Sequence, residues 1–200
     1  MMLNTPIDLD LTPHFALEGG QPFKDRRATM PWRGAVPIAK EQLEQTWQEV
    51  LNHAAPPRKR LLYLHIPFCA THCTFCGFYQ NRYEEDHCAR YTDALLREIE
   101  MEADSVLHQS APIHAVYFGG GTPSLYAPAA LKGLLDHAAL LFDCSGTTET
   151  TLEANPDDLT ENYLDGLREA GIDRLSIGIQ SFDDGCLKLM NRRHTAAQAI

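Results

Sequence analysis

The sequence predicts an α/β fold, in which four parallel strands alternate with helices behind an irregular N-terminal arm. Between residues 56 and 200, short apolar runs alternate with amphipathic segments in the order βαβαβαβα, which is typical of a parallel sheet with right-handed crossovers. The segments richest in cysteine, glycine and polar residues fall at the carboxyl ends of these strands, where such sheets carry their functional groups. We therefore divide the chain into an arm with a short helix, residues 1–55, and a core, residues 56–200.

The arm is predicted to be irregular because prolines recur through the first 40 residues and interrupt any periodic pattern. Apolar residues then return at helical spacing between Glu41 and Ala54. The apolar face of this short helix consists of Leu43, Trp47, Val50 and Leu51. The pair Pro56-Pro57 ends it, since a proline disfavours helical backbone at the preceding residue.

Four dense apolar or β-branched runs predict the strands, and they span residues 61–66, 115–118, 147–153 and 174–179. Amphipathic segments predict the intervening helices, at residues 86–109, 127–142, 160–170 and 183–190. Thr160 has the character of an N-cap, and Gly171 that of a helix stop. A further helix is expected from Thr195. Four βα units do not close a barrel, so we expect the chain to be the N-terminal part of a longer protein.

Charge and hydropathy exclude several classes of function. The formal net charge is −10 and the isoelectric point is near 5.3, which argues against a general nucleic-acid surface. No apolar run approaches the roughly 20 residues of a membrane helix, and the N-terminus lacks the pattern of a secretory signal. We expect a cytoplasmic protein with no nucleic-acid partner and no membrane span.

The strongest chemical signal is three cysteines within eight residues, Cys69, Cys73 and Cys76. Three thiolates on one loop can hold three corners of a [4Fe–4S] cluster. The fourth iron would then be free to chelate S-adenosylmethionine (SAM), whose reductive cleavage yields methionine and a 5′-deoxyadenosyl radical. That radical chemistry belongs to the cofactor, and the protein orients it.

A zinc site is the alternative, because Cys-x2-Cys is also a zinc spacing and His65 or His72 could complete four ligands. Structural zinc sites usually draw on two ligand pairs, however, and the sequence has no second pair. The remaining cysteines are isolated, and we expect them to be buried small apolar residues. They are Cys88, Cys144 and Cys186.

Several motifs together resemble the radical SAM family of oxygen-independent coproporphyrinogen III oxidases. The resemblance covers about Leu61 to His194 and implies the first four βα units of a partial (β/α)6 barrel. The matching motifs are Tyr63 through Cys76, the glycine run Gly119–Ser124, Glu153–Pro156, Ser176–Phe182, and Asn191-Arg192 with His194.

The resemblance also implies roles for individual residues. Tyr63 is similar to a tyrosine that contacts cluster-bound SAM, Phe75 to a residue near the adenine, and Glu153 to a SAM-contacting carboxylate. Gly120, Gly121 and Thr122 resemble a backbone cradle for SAM, and Gln180 and Arg192 resemble binding positions for a second SAM. Each residue also has a structural alternative: a strand core residue for Tyr63, a turn carboxylate for Glu153, and a solvated helix end for Arg192 and, more so, Arg193.

Two positions distinguish branches of the family. Coproporphyrinogen oxidases typically place a glycine and a fourth cysteine after the cluster motif, whereas Gly77 is here followed by Phe78. The heme-chaperone branch usually has an aspartate at the position of Gly77. The stretch from Cys73 to Asn81 instead resembles the heme-utilisation branch, as does an upstream segment ending at Arg33. The resemblance implies anaerobic opening of the heme ring with release of iron, and we hypothesise a methyl transfer that uses two SAM molecules.

The expected partners are a heme or porphyrin substrate and a low-potential electron donor, flavodoxin or ferredoxin. Two alternatives stay open: oxidative decarboxylation of coproporphyrinogen III, and heme delivery without chemistry.

Overall fold

The computed structural model describes residues 35–56, 58–78 and 81–200. Most of the predicted arm, including the segment ending at Arg33, lies outside the described residues. The chain divides into two units, residues 1–42 and 43–200. In the first, the described residues include a 3-10 helix, Lys40–Gln42. The second contains the sheet, its helices and the predicted site. The domain boundary predicted after residue 55 stays a prediction.

The second unit is built on a four-stranded parallel sheet, which confirms the predicted fold class. The strands are β1 Leu61–Ile66, β2 Phe68–Cys69, β3 Asn81–Arg82, β4 Ala115–Gly120, β5 Glu149–Ala154 and β6 Arg174–Ile177. The main sheet has the strand order β1-β4-β5-β6, and a separate two-stranded parallel ladder joins β2 to β3. The register sets Tyr63 beside Tyr117 and Glu153 beside Ser176.

The helices are α1 Leu43–Leu51, α2 Glu85–Glu102, α3 Val106–Gln109, α4 Pro128–Leu141, α5 Glu161–Glu169 and α6 Asp184–Leu189. Of these, α2, α4 and α5 pack on one face of the sheet and contribute to its core. The core between sheet and helices includes Leu64, Ile66, Phe118, Leu131 and Leu152, all fully buried. Since strand side chains alternate between faces, Tyr63 and His65 of β1 point to the opposite, open face.

The long helix predicted for residues 86–109 is wrong, because the chain breaks it after Glu102 and restarts it as α3. Ser105 caps the restart by accepting a hydrogen bond from the backbone N–H of His108. Serine competes with the helical backbone in this way and favours a cap over a helix interior. The helix expected from Thr195 is instead a short 3-10 turn, Ala196–Gln198.

Other local predictions are confirmed. The Thr160 side chain caps α5 by accepting from the backbone N–H of Tyr163, and Gly171 ends that unit with φ of 92°, a conformation that favours glycine. On the predicted apolar face of α1, Leu51 is buried, whereas Leu43, Trp47 and Val50 are about half exposed. Within the described residues, no helix combines the length and apolar character needed to cross a bilayer.

Candidate active site

A cavity of about 280 Å³ lies at the carboxyl edge of the sheet, near the lower end of the roughly 300–1,000 Å³ typical of small-molecule sites. Its lining includes most of the residues that the sequence singled out, although Tyr63 and Gly120 are not among them. The predicted residues that line it are Cys69, Cys73, Phe75, Cys76, Gly121, Thr122, Glu153, Gln180 and Arg192. Side chains and backbone from five separate segments therefore meet here.

Cys69 is held by regular backbone hydrogen bonds. It ends β2, and its carbonyl accepts from the N–H of Tyr83 at 2.9 Å. On the other side, the N–H of Thr122 donates to the carbonyl of Phe68 at 2.8 Å, and that of Gly121 donates to Ile66 at 2.8 Å. Cys69 is buried, and its position is fixed because β2 pairs with β3 on one side and bonds to residues 121 and 122 on the other.

The glycine run lets the cysteine strand approach closely. A Cβ atom on Gly121 would lie 2.6 Å from the carbonyl oxygen of Phe68 and 2.9 Å from the sulfur of Cys69. Gly120 has φ of 123°, where a side chain is disfavoured. The predicted SAM cradle stays a prediction, since the amides of Gly121 and Thr122 already donate to the protein.

Cys73 and Cys76 lie on a loop, residues 70–76, which we call the cysteine loop. Its one internal backbone hydrogen bond, among the described residues, joins Cys76 N–H to the Cys73 carbonyl at 3.1 Å. The Cys73 sulfur accepts from Nη1 of Arg192 at 3.3 Å. Phe75 projects from the loop with its ring half exposed at the cavity.

Neighbouring groups have opposing effects on the pKa of the Cys69 thiol. Burial raises the pKa of this thiol, and the Thr122 side chain partly opposes the rise by a hydrogen bond. The nearby thiols of Cys76 and Cys73 raise the pKa further, whereas the guanidinium of Arg192 lowers it. Without a metal the site thus favours the neutral thiol, and a bound cation would remove that penalty, since thiolates are the metal-binding form.

Arg192 is anchored across the cavity. Its Nη2 atom donates to Oδ1 of Asn155 at 2.7 Å and to the carbonyl of Gly178 at 2.6 Å. Its Nε is buried and has no hydrogen-bond partner among the described residues. The alternative of a solvated helix end therefore does not describe Arg192, whose guanidinium contacts Cys73 and the ends of β5 and β6.

Arg193 is exposed, as the sequence led us to expect, and it is also ion-paired. Its Nη2 lies 2.5 Å from Oδ2 of Asp157 and 3.3 Å from Oδ1 of Asp158. Asp158 in turn accepts a hydrogen bond of 2.7 Å from the hydroxyl of Ser124. This ion pair joins the segment after α6 to the turn after β5.

Glu153 is fixed by two donors. Oε1 accepts from the hydroxyl of Tyr117 at 2.8 Å, and Oε2 accepts from the N–H of Gly120 at 3.2 Å. The Tyr117 ring stacks against Tyr63, with centroids 6.0 Å apart, and the Tyr63 hydroxyl lies 3.0 Å from Nδ1 of His65. Burial first, and then Glu153, raise the pKa of Tyr117, so its phenol stays a donor.

The sequence analysis assigned no structural role to Tyr117, Asn155 or Asn191, which the structure places in contact with site residues. The period-two alternation of β4 places Tyr117 on the open face of the sheet, and this signal was available. Gln180 was predicted, and it lies exposed at the rim with φ of 68°. The buried His194 lies with its Nε2 atom 3.0 Å from the carbonyl oxygen of Ile179, the residue before Gln180.

Three thiols of this cavity match the three protein ligands of an iron–sulfur cluster whose fourth iron is left open. Each corner of a cubane takes one thiolate, and three thiols line this cavity. The described residues place no fourth cysteine there: Cys88 is buried in the core as expected, Cys144 is half-buried, and Cys186 is exposed, contrary to expectation.

Comparison with known protein families identifies the class of enzyme to which this fold and its three-cysteine site belong. Residues 63–200 match the family model of the Radical SAM superfamily, and the chain belongs to this superfamily. Its cofactors are accordingly a [4Fe–4S] cluster and SAM, as the cysteine spacing predicted.

Sequence similarity to individual proteins shows which members of the superfamily the chain resembles. The chain is 60% identical over 198 residues to anaerobilin synthase of Escherichia coli O157:H7, which covers 99% of this chain and 44% of that protein. It is 36% identical over 143 residues to the heme chaperone HemW of Haemophilus influenzae, covering 69% of this chain and 37% of that one.

A solved structure agrees with these sequence similarities. Coproporphyrinogen III oxidase (HemN) from Escherichia coli, a radical SAM enzyme, superposes with a TM-score of 0.67 at 31% identity. The match covers 78% of this chain and 35% of that one. The predicted resemblance to this family, near its heme-utilisation branch, is confirmed. The chain spans less than half the length of each of these relatives.

Proposed function

We propose that this chain is the cluster-bearing part of an enzyme that opens the heme ring anaerobically, with methyl transfer from SAM and release of iron. The observation that carries the proposal is the 60% identity with anaerobilin synthase over 198 residues. The absence of a fourth cysteine after Gly77, where Phe78 stands, supports this branch over the coproporphyrinogen oxidases.

In this proposal Cys69, Cys73 and Cys76 bind the cluster through three irons and leave one iron for SAM. When bound and reduced, the cluster supplies the electron that cleaves SAM. The chain sets the positions of the three thiolates: the sheet fixes Cys69, and the cysteine loop carries the other two. The half-exposed ring of Phe75 provides an apolar surface for the adenine.

Glu153 orients SAM in this proposal. Its two oxygens each accept one hydrogen bond from the protein, so the carboxyl group is held in place and its oxygens can accept further bonds from ammonium or hydroxyl groups. Tyr63 lies on the same open face, beside Tyr117. A carboxylate fixed in this way selects the donor groups of a ligand at no further cost in side-chain entropy.

A second SAM site at Gln180 and Arg192 belongs to the same proposal. Both residues line the cavity. A heme or porphyrin would be the substrate. The electron would come from a low-potential donor, a flavodoxin or a ferredoxin.

Spectroscopy of the reconstituted full-length protein tests the cluster assignment. We expect an EPR signal of a reduced [4Fe–4S] cluster that SAM perturbs, and we expect Cys69→Ala, Cys73→Ala and Cys76→Ala each to abolish it. Cys88→Ala is the matched control, because Cys88 is buried away from the cavity, and it should keep the signal. Stoichiometric zinc without sulfide would contradict the proposal.

Product analysis tests the substrate. Anoxic incubation of the reduced full-length enzyme with heme and SAM should give a methylated linear tetrapyrrole and free iron. New vinyl groups on coproporphyrinogen would instead favour the decarboxylase, to which the similarity with HemN points. Heme that is bound and transferred unaltered would favour the chaperone, to which the similarity with HemW points.

A further inference from the structure

The carboxyl end of α6 lies against the cysteine loop. The N–H of Asn191 donates to the Lys188 carbonyl at 3.1 Å, and that of Arg192 donates to the Leu187 carbonyl at 2.9 Å. Asn191 has φ of 55°. This pair of bonds around a left-handed residue is the Schellman motif, and asparagine is one of the few residues besides glycine that adopts it readily.

The Schellman bonds leave the last two carbonyls of the helix end without a donor from their own segment. Thr74 of the cysteine loop donates to both. Its backbone N–H donates to Met190 at 3.2 Å, and its hydroxyl donates to Leu189 at 3.0 Å. One residue of the cysteine loop therefore completes the hydrogen bonding of a helix end that lies more than a hundred residues further along the chain.

Two side chains that follow α6 also donate hydrogen bonds to the cysteine loop. Nδ2 of Asn191 donates to the carbonyl of His72 at 2.6 Å, and Nη1 of Arg192 donates to the sulfur of Cys73 at 3.3 Å. Four hydrogen bonds thus join residues 189–192 to three successive residues of the loop. The loop has one internal backbone bond of its own among the described residues, so these four dominate its restraint.

We propose that residues 189–192, which we call the clasp, hold the cysteine loop in the shape that accepts the cluster. Thr74 and Asn191 are then positioning residues for cluster assembly, although neither is a ligand. The proposal rests on the proposed function, in which Cys73 and Cys76 are cluster ligands. Cys69 does not need the clasp, because β2 fixes it through backbone bonds.

Thiol accessibility in the full-length protein without its cluster tests the clasp. Thr74→Val keeps the side-chain shape and removes the hydroxyl donor, whereas Thr74→Ser keeps the donor. Mass spectrometry would measure the alkylation rate of each cysteine by iodoacetamide under anoxia. We expect Thr74→Val to raise the rates at Cys73 and Cys76 about fivefold, the factor that corresponds to one hydrogen bond, with Cys69 unchanged and Thr74→Ser close to wild type.

Cluster uptake gives a second readout. Iron and sulfide bound per chain after a fixed reconstitution time should fall in Thr74→Val and in Asn191→Gly, which keeps the left-handed backbone but loses the donor to His72. Thr74→Ser, which keeps the hydroxyl donor, should take up iron and sulfide like wild type.

Three outcomes distinguish a failure of the clasp proposal from a failure of the proposed function. Unchanged alkylation and uptake in Thr74→Val and Asn191→Gly would overturn the clasp and leave the proposed function intact. Failure of Thr74→Ser to restore either readout would also overturn it. A wild-type protein that takes up no iron and sulfide would overturn the proposed function, and the alkylation rates would still decide the clasp.

Discussion

Gly121 and Cys69 are in such close contact that a Cβ atom on the glycine would lie 2.9 Å from the cysteine sulfur. The glycine run and the cysteine motif therefore pack directly against each other, and the missing side chain of Gly121 allows β2 to lie close to the backbone of residues 119–122. Any contact of SAM with Gly121 or Thr122 would use groups other than their amides, which bond to Ile66 and Phe68.

Gly121→Ala should lower both stability and cluster content. The new methyl group would collide with the carbonyl of Phe68 and the sulfur of Cys69, and overpacking of this kind costs about 1–3 kcal/mol. Urea unfolding measures the stability, and iron analysis measures the cluster. The matched control is Gly133→Ala in α4, where the structure leaves open space, and we expect a gain of about 0.5–1 kcal/mol there. Equal effects of the two substitutions would contradict this explanation.

Tyr117→Phe should weaken SAM binding without loss of the cluster. The substitution removes one of the two donors that fix Glu153, and a lost hydrogen bond of this kind corresponds to about a fivefold change in affinity. Titration of the EPR signal with SAM measures the dissociation constant. Tyr163→Phe also removes a tyrosine hydrogen bond, to the Tyr126 carbonyl at 2.8 Å, but away from the cavity, so its SAM affinity should equal that of wild type.

Arg193→Gln should destabilise the fold by about 1–3 kcal/mol, because it leaves the largely buried carboxylates of Asp157 and Asp158 without a cation. The partial exposure of Arg193 keeps the effect below that of a fully buried pair. Lys132→Gln breaks the exposed ion pair with Asp136, and we expect a change within about 0.5 kcal/mol. Chemical denaturation would compare the two, and an equal loss would mean that burial of the carboxylates has no effect.

Alkaline stability should depend on Tyr126. Burial raises the pKa of this phenol to about 12, so in the unfolded chain it ionises first, near its ordinary value of about 10. The neutral phenol therefore contributes stability that is fully present below pH 10 and is lost as the pH rises through 12. The slope over that interval approaches about 1.4 kcal/mol per pH unit.

Tyr126→Phe removes this dependence. Between pH 9.5 and 11, the free energy of unfolding by urea should fall less in the variant than in wild type. Parallel decreases in both proteins would show that Tyr126 does not titrate in this interval.

The sequence was sufficient to predict the sheet and the position of the site. Periodicity located the four strands of the main sheet, although not the short strands β2 and β3, and the carboxyl-end rule predicted that Cys69, Gly121 and Glu153 lie at one edge. These predictions succeed because each depends on a local pattern and on a general rule for parallel sheets.

The contacts that hold the site together were less predictable. The break before Ser105 depends on a single cap that competes with a continuing amphipathic pattern. The bonds from Arg192 to Asn155 and from Asn191 to His72 depend on where two distant turns meet, and no short-range signal encodes that. A left-handed asparagine after a helix indicates where the helix stops, but not which loop it contacts.

The Thr74 contacts with the end of α6 also affect the order of events during synthesis. The cysteines leave the ribosome early, yet His72 bonds to a residue 119 positions later. A nascent chain that has completed β1 and β2 exposes its thiols on an unsupported loop until Arg192 has emerged and α6 has folded. The proposed clasp therefore implies that the cluster binds after α6 has folded, because only then are all four hydrogen bonds to the cysteine loop in place.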